Sequence, residues 1–344
     1  MRITIMKTAM KPIISAFAGA LMFAGVAGAQ AQDAVDLEVG YMPILPISQL
    51  FVANEEGWLN EAGIEPDLVQ FQNGPAMVQA LLAGQLDVAY LGIGPAMVAR
   101  ARGADIKVVA SNIVEQISIV ALGELAPYFE EDHTTAFERF AEDHGRKPVI
   151  TTFPAGSVPE TVFQYWLRNQ LGVDPSQVEI IYQGAAQVQQ ALLTEAVDGA
   201  AILEPVVSIV LDRSEGARVV ASGSELFPNQ PGAVLAVRSE AIAEHPEAIE
   251  ALVEAHARAT EVLRNDPARA TPSVAAYVGG GRLDPAIVTA AIERSEERFV
   301  ADPNFIVDGT KVMHDFQAEL GTLNQPVDLT TLFDLSIYNG LTEF

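Results

Sequence analysis

The chain reads as an α/β protein of two similar units facing each other across a cleft, and three observations carry that reading. Gln79 to Asp87 (QALLAGQLD) recurs 111 residues later as Gln190 to Asp198 (QALLTEAVD). Each copy runs into an apolar strand and a proline, VAYLGIGP after the first and GAAILEP after the second. Strand and helix patterns alternate around both copies, the order that builds a parallel sheet with covering helices. Such sheets bind ligands beyond the carboxyl ends of their strands, so a duplicated helix-strand-loop points to capture of a small molecule.

In the first unit, Leu37 to Tyr41 alternates and breaks at Pro43 and Pro46, as a strand entering a loop does. A helix follows over 49–58, a strand over 66–71, a helix over 75–83 stopped by Gly84, and a third strand over 87–91. Further apolar runs span 106–111 and 117–122. Residues 124–146 then hold many acids, with Phe129, Phe137 and Phe140 at spacings that suit a surface helix. The second unit repeats the order: strand 148–152, helix 158–171, strand 178–182, helix 187–194, strand 199–203 and a short strand at 219–221.

Val234 to Val237 (VLAV) resembles Ile119 to Leu122 (IVAL) in length and character, and the two runs bracket the second unit. They are expected to pair as two crossover strands at a hinge. The remainder is helical. Residues 246–265 place apolar side chains on a 3.6-residue stripe, and Asp284-Pro285 supplies a cap and a first-turn proline for another helix. These helices, with two more over 311–320 and 328–334, are expected to pack back on the first unit.

Arg2, Lys7 and Lys11 precede the apolar run 12–27, and Ala29-Gln30-Ala31 has the small-x-small form of a cleavage site, so residues 1–31 read as a secretory signal peptide. The expected division is thus a leader over 1–31, lobe 1 over 32–121, lobe 2 over 122–233, and a return to lobe 1 with C-terminal helices over 234–344. The sequence contains no cysteine, which excludes disulfides, thiolate chemistry and attachment through a lipidated cysteine. Without the leader, 17 basic residues face 45 acidic ones, a net charge of −28. That balance argues against nucleic acid, which needs a basic stripe to displace counterions.

Enzyme motifs are missing: there is no phosphate loop ending in Gly-Lys-Ser/Thr, no His-Glu-x-x-His and no Gly-x-Ser-x-Gly. Five dispersed histidines lack metal-ligand spacing and read as surface or helix-end residues, so neither a metal nor a cofactor is expected. The loops after strands are the candidate site. Thr152, Gly156 and Ser157 join a strand to a helix, where hydroxyls and amides suit an anionic head group; the alternative is an ordinary Ser cap. Gly92 and Gly94 allow close backbone approach, or merely a tight turn before a Pro-started helix. Glu204 offers a carboxylate to an amine, or caps the next helix. Tyr41 and Met42 would form an apolar wall and Asn73 an amide contact, though Tyr41 also suits the core.

At these residues the chain resembles the periplasmic solute-binding proteins of nitrate, sulfonate and taurine ABC importers, a family that includes binders of thiamine pyrimidine precursors. The resemblance rests on VGYMP with FVANEEGWLNEAGIEPDL, on ALLAGQLDVAYLGIGPAMVARARGADIKVVAS, on ITTFPAGSVPETVFQYWL with GVDPSQVEII, on ALLTEAVDGAAILEP, and on the helix HPEAIEALVEAHARATEVLRNDPARA. It implies a two-lobe Venus flytrap of the type II kind, a monomer in the periplasm that closes on a small solute. It further implies delivery to an inner-membrane ABC permease with its ATPase, and places ligand contacts at Tyr41, Met42, Asn73, Gly92, Gly94, Gly156, Ser157 and Glu204. A sulfonate or taurine is the expected ligand. An aminopyrimidine or other amine-bearing solute is the alternative, with Glu204 as its clue, and a pyrimidine-metabolising enzyme of the same fold a further one. Two departures stand out: the acidic segment 124–146 is longer than the usual link, and no Arg or Lys occupies the strand-end loops.

Overall fold

The computed structural model describes residues 34–341; the expected leader lies outside them. Ten strands form two five-stranded mixed sheets. The first is built from β1 (Val35–Tyr41), β2 (Ile64–Gln70), β3 (Val88–Gly92), β4 (Ile106–Ser111) and, from far along the chain, β10 (Ala233–Arg238), in the order β2-β1-β3-β10-β4. The second holds β5 (Ser118–Ala121), β6 (Val149–Thr152), β7 (Glu179–Tyr182), β8 (Gly199–Ile202) and β9 (Arg218–Ser222), in the order β7-β6-β8-β5-β9. In each, three parallel strands are followed by one antiparallel strand, β10 or β5, flanked by β4 or β9. The sheets are topological copies.

Helices cover both sheets. On the first lie α1 (Ser48–Glu55), α2 (Trp58–Glu61), α3 (Gly74–Leu82) and α4 (Ile93–Ala101). The second carries α5 (Ala136–His144), α6 (Val158–Tyr165), α7 (Ala185–Leu193) and α8 (Val206–Arg213). The C-terminal stretch adds α9 (Ser239–Glu244), α10 (Pro246–Asn265), α11 (Pro267–Ala275), α12 (Pro285–Ser295) and α13 (Val307–Leu320). The repeat therefore maps onto α3-β3 and α7-β8, each the third strand of its sheet with the helix before it. Leu81 and Val88 in one copy, and Leu192 and Ala200 in the other, are buried in the core.

Several expectations are corrected. Ile119 to Leu122 and Val234 to Val237 do not pair with each other: β5 lies between β8 and β9, and β10 between β3 and β4. Their likeness in sequence reflects equivalent places in two sheets, down to a register shift at Ile119/Val120 and at Leu235/Ala236. The crossings lie just outside them, where Val114 bridges Pro231 and Gly232 N donates to Ile113 O at 2.9 Å. The chain thus changes sheet between Ser111 and Ser118, before the boundary expected at 121. The acidic segment is also tied down: Phe129, Phe137 and Phe140 are buried, and Phe137 meets Trp166 edge-on at 6.1 Å. Acids occupy one face of α5 and aromatics the other.

Nor do the C-terminal helices serve the first sheet alone. α10 packs on α1, but α12 lies against α8 and α13 against both α4 and α6. His256, expected at a surface or helix end, is fully buried in α10 with Nε2 2.7 Å from Ser111 O. An apolar surrounding penalises the charged ring and lowers its pKa to about 4, despite the carbonyl contact.

Candidate functional site

The carboxyl ends of β1, β3, β6 and β8 converge between the two sheets. Met42 and Ile44 follow β1, Gly92 and Pro95 start α4, and Phe153 follows β6. Ser157, Val158 and Pro159 open α6 from the same side, and Leu203 follows β8. Gln116 and Ala233 complete the lining from the crossing segments. The enclosed space is about 20 Å³, on the order of a single water. The loops are nearly in contact, and glycine is what allows it. A Cβ on Gly92 would stand 2.7 Å from Val158 Cγ2, and one on Gly94 2.9 Å from Gly156 O and 2.6 Å from Gln317 Nε2.

Of the nine expected residues, Met42, Gly92 and Ser157 line this pocket. Gly94 and Gly156 lie where the two loops touch, outside its lining. Tyr41 does not reach it, because successive strand residues point to opposite faces: its ring packs edge-on against Phe51 and Tyr277, and its hydroxyl donates to Gln70 Oε1 at 3.4 Å. Thr152 is buried with its hydroxyl donating to Ala201 O at 2.9 Å, which ties β6 to β8. Asn73 caps α3 by accepting from Ala76 N at 2.9 Å.

Glu204 is engaged by groups outside the pocket lining. Its carboxylate accepts from Ser208 N at 3.0 Å and from the Ser208 hydroxyl at 2.9 Å, and pairs with Arg294 Nε of α12 at 3.1 Å. Burial nevertheless raises its pKa, outweighing the Ser208 bonds and the Arg294 charge. So Glu204 caps α8 and anchors α12, and the loop that opposes Gly92 to Pro95 is Ala155 to Val158.

The start of α6 is already supplied with a carboxyl group. Glu160 Oε2 accepts from Gly156 N at 3.2 Å, and Ser157 Oγ caps the helix by accepting from Glu160 N at 3.5 Å. Desolvation raises the Glu160 pKa to about 7, with the Gly156 amide and the Arg168 charge opposing. Sequence reasoning missed Gln116, in the crossing from β4 to β5. Its Oε1 is buried and accepts no hydrogen bond; the only mark in the sequence was a polar Glu115-Gln116 step between two apolar runs. Gln317 of α13 was missed as well. Its Nε2 donates to Gly156 O at 3.3 Å and Thr161 Oγ1 at 3.0 Å, joining α13 to the second sheet's α6.

Fold and site together define a binding protein whose two sheets share one pocket. The chain belongs to the NMT1-like family, whose model matches residues 30–278. It is 26% identical over 302 residues to a putative binding protein of Brucella abortus (strain 2308), covering 86% of this chain and 89% of that one. In structure it is similar to the alkanesulfonate-binding protein SsuA of Xanthomonas axonopodis pv. citri bound to MOPS, with a TM-score of 0.71, 20% identity and coverage of 88% and 99%. The periplasmic nitrate-binding protein NrtA of Synechocystis PCC 6803 gives 0.74, at 13% identity and coverage of 90% and 88%. These two likenesses establish the periplasmic binding-protein fold.

Proposed function

We propose that this chain is the substrate-binding component of an ABC importer, which captures a small organic solute between its sheets in the periplasm and presents it to a permease and its ATPase. The observation that carries this is the convergence of four strand ends, two from each sheet, on one pocket. In this reading the lobes are residues 34–112 with 233–341, and residues 118–222. The paired crossings at Val114 and Pro231 are the hinge. Closure is favoured only by as much as the solute prefers the closed form.

A sulfonate or taurine draws support from the likeness to SsuA. The Ser157 helix start and the glycine loops suit it in kind, but no cation lines the pocket. An amine-bearing solute loses its clue, since Glu204 is engaged by Ser208 and Arg294. A thermal-shift screen of the leaderless protein against organic sulfonates, nitrate, amines and neutral solutes tests the reading. A solute at about 100 times its Kd should add about 2.7 kcal/mol. Turnover of a solute without any stabilisation would overturn it.

A further inference from the structure

The pocket's lining indicates which class of solute it takes, an inference that rests on the binding reading above. Its walls are apolar: Met42, Ile44, Phe153, Val158 and Leu203, with prolines at 95 and 159. No Asp, Glu, Lys, Arg or His is among the lining residues. Only Gln116 and Ser157 bring polar side chains. Enclosing an unpaired ion there would forfeit its hydration with no counter-charge in the wall.

Two groups that suit an ion are engaged elsewhere. An anion would look to the amides opening α6, where Gly156 N already donates to Glu160 Oε2. A cation would look to Glu204, which is turned to Ser208 and Arg294. Ser157 Oγ accepts from Glu160 N at the helix cap. Among the lining residues, Gln116 has the one buried side-chain atom left without a partner. Only 7% exposed, it presents a buried Oε1 without a donor, held against Gly232, where a Cβ would lie 2.7 Å from that oxygen. Such an orphan acceptor is unfavourable until a ligand supplies a donor.

We propose that the solute is uncharged, with an apolar body and one amide-like edge that pairs with the Gln116 side chain. A primary amide, lactam or ureide offers an N–H to Oε1 and a carbonyl to the Gln116 NH2 group, so both halves are satisfied at once. The lobes must part to admit it, because the present space holds on the order of one water. A separate open groove of about 250 Å³ does carry a cation, the exposed Arg102, beside Val98 and Thr322.

The test is calorimetry and thermal shift on the leaderless protein, at low and high ionic strength. The probes are benzamide, caprolactam, benzoate, benzenesulfonate, benzylamine and taurine. Neutral amides should bind with little salt dependence, and Gln116→Leu should weaken them by about tenfold or more. The isosteric Gln116→Glu guards against misfolding and should shift preference toward benzylamine. Binding of benzenesulfonate or taurine that weakens with salt and is lost in Arg102→Gln would overturn the class while leaving the binding reading intact. Amide binding that is indifferent to Gln116→Leu would overturn the role of Gln116. Absence of any binder across all probes and a wider solute library would count against the binding reading itself and take this inference with it.

Discussion

Asp87 and Asp198 close the two copies of the repeat and make equivalent bonds. Asp87 Oδ2 accepts from Glu38 N of β1 at 3.0 Å, and Asp198 Oδ2 from Val149 N of β6 at 2.7 Å. The backbone amide of each donates back to the same residue's carbonyl. Each locks the third strand's entry to the neighbouring parallel strand. Arg146 also grips Asp198 through two bonds, at 2.6 and 2.8 Å, whereas Arg238 stands 3.8 Å from Asp87. Burial pushes the Asp198 carboxyl up, but the Arg146 and Val149 bonds prevail and its pKa is lowered. Its contribution to stability is therefore present above the ordinary carboxylate pKa and lost as pH falls through the lowered value. Asp198→Ala should cost about 2 kcal/mol in urea denaturation at neutral pH, and Asp87→Ala less; equal losses would refute the asymmetry.

Glu160 and His256 titrate with opposite signs. Glu160, raised to about 7, holds its proton longer folded than unfolded, so its stabilising effect is full below about pH 4.5 and is lost as pH rises toward 7. His256, lowered to about 4, does the reverse: its effect is present above about pH 6.5 and lost as pH falls toward 4. Glu160→Gln should abolish the first decline, gaining on the parent by up to about 3 kcal/mol between pH 5 and pH 8. Denaturation curves at those two pH values check it, and parallel curves would show that Glu160 ionises freely.

Among the elements, α12 and α13 have the most consequence. They follow the return to the first sheet yet brace the second, through Arg294 to Glu204 and through Gln317 to Gly156 and Thr161. Phe316 adds an edge-on contact to Tyr165 at 5.1 Å. In the proposed two-lobe reading, these contacts make the C-terminal helices braces on the closed form. Gln317→Ala should cost about 1 kcal/mol, since two bonds are lost but an orphaned Oε1 is also removed. Small-angle scattering should show the variant more open without ligand. Gly94→Ala acts at the same contact from the other side: its methyl group would meet Gly156 O and Gln317 Nε2, and should cost about 1–3 kcal/mol in urea denaturation and weaken ligand binding by about tenfold. A Gly94→Ala protein that binds normally would mean that the loops need not touch.

For the whole molecule, much was legible in the chain. The alternating strand pattern, the repeat and the punctuation by Gly and Pro are local signals, and they placed β1, β3, β6 and β8 and the loops that meet at the pocket. Hydrophobic periodicity marked α10 with bounds at Pro246 and Asn265. What the chain did not disclose is where side chains at those strand ends face. Thr152 and Glu204 looked available because a sequence lists donors and acceptors without their partners. In the fold, Ala201 O takes one, and Ser208 with Arg294 takes the other.

The sequence by itself determined two α/β units, their order and the strand-end loops, because periodicity and turn chemistry act over a few residues. Only the tertiary structure decided that Ile119 to Leu122 and Val234 to Val237 belong to different sheets, that α12 and α13 brace the far lobe, and that Gln116 rather than Glu204 faces the pocket. Those outcomes depend on pairings between residues far apart in the chain, such as Gly156 with Gln317, 161 positions apart. No local pattern encodes such a pairing. It is settled when buried polar groups compete for a limited set of partners as the two sheets pack together.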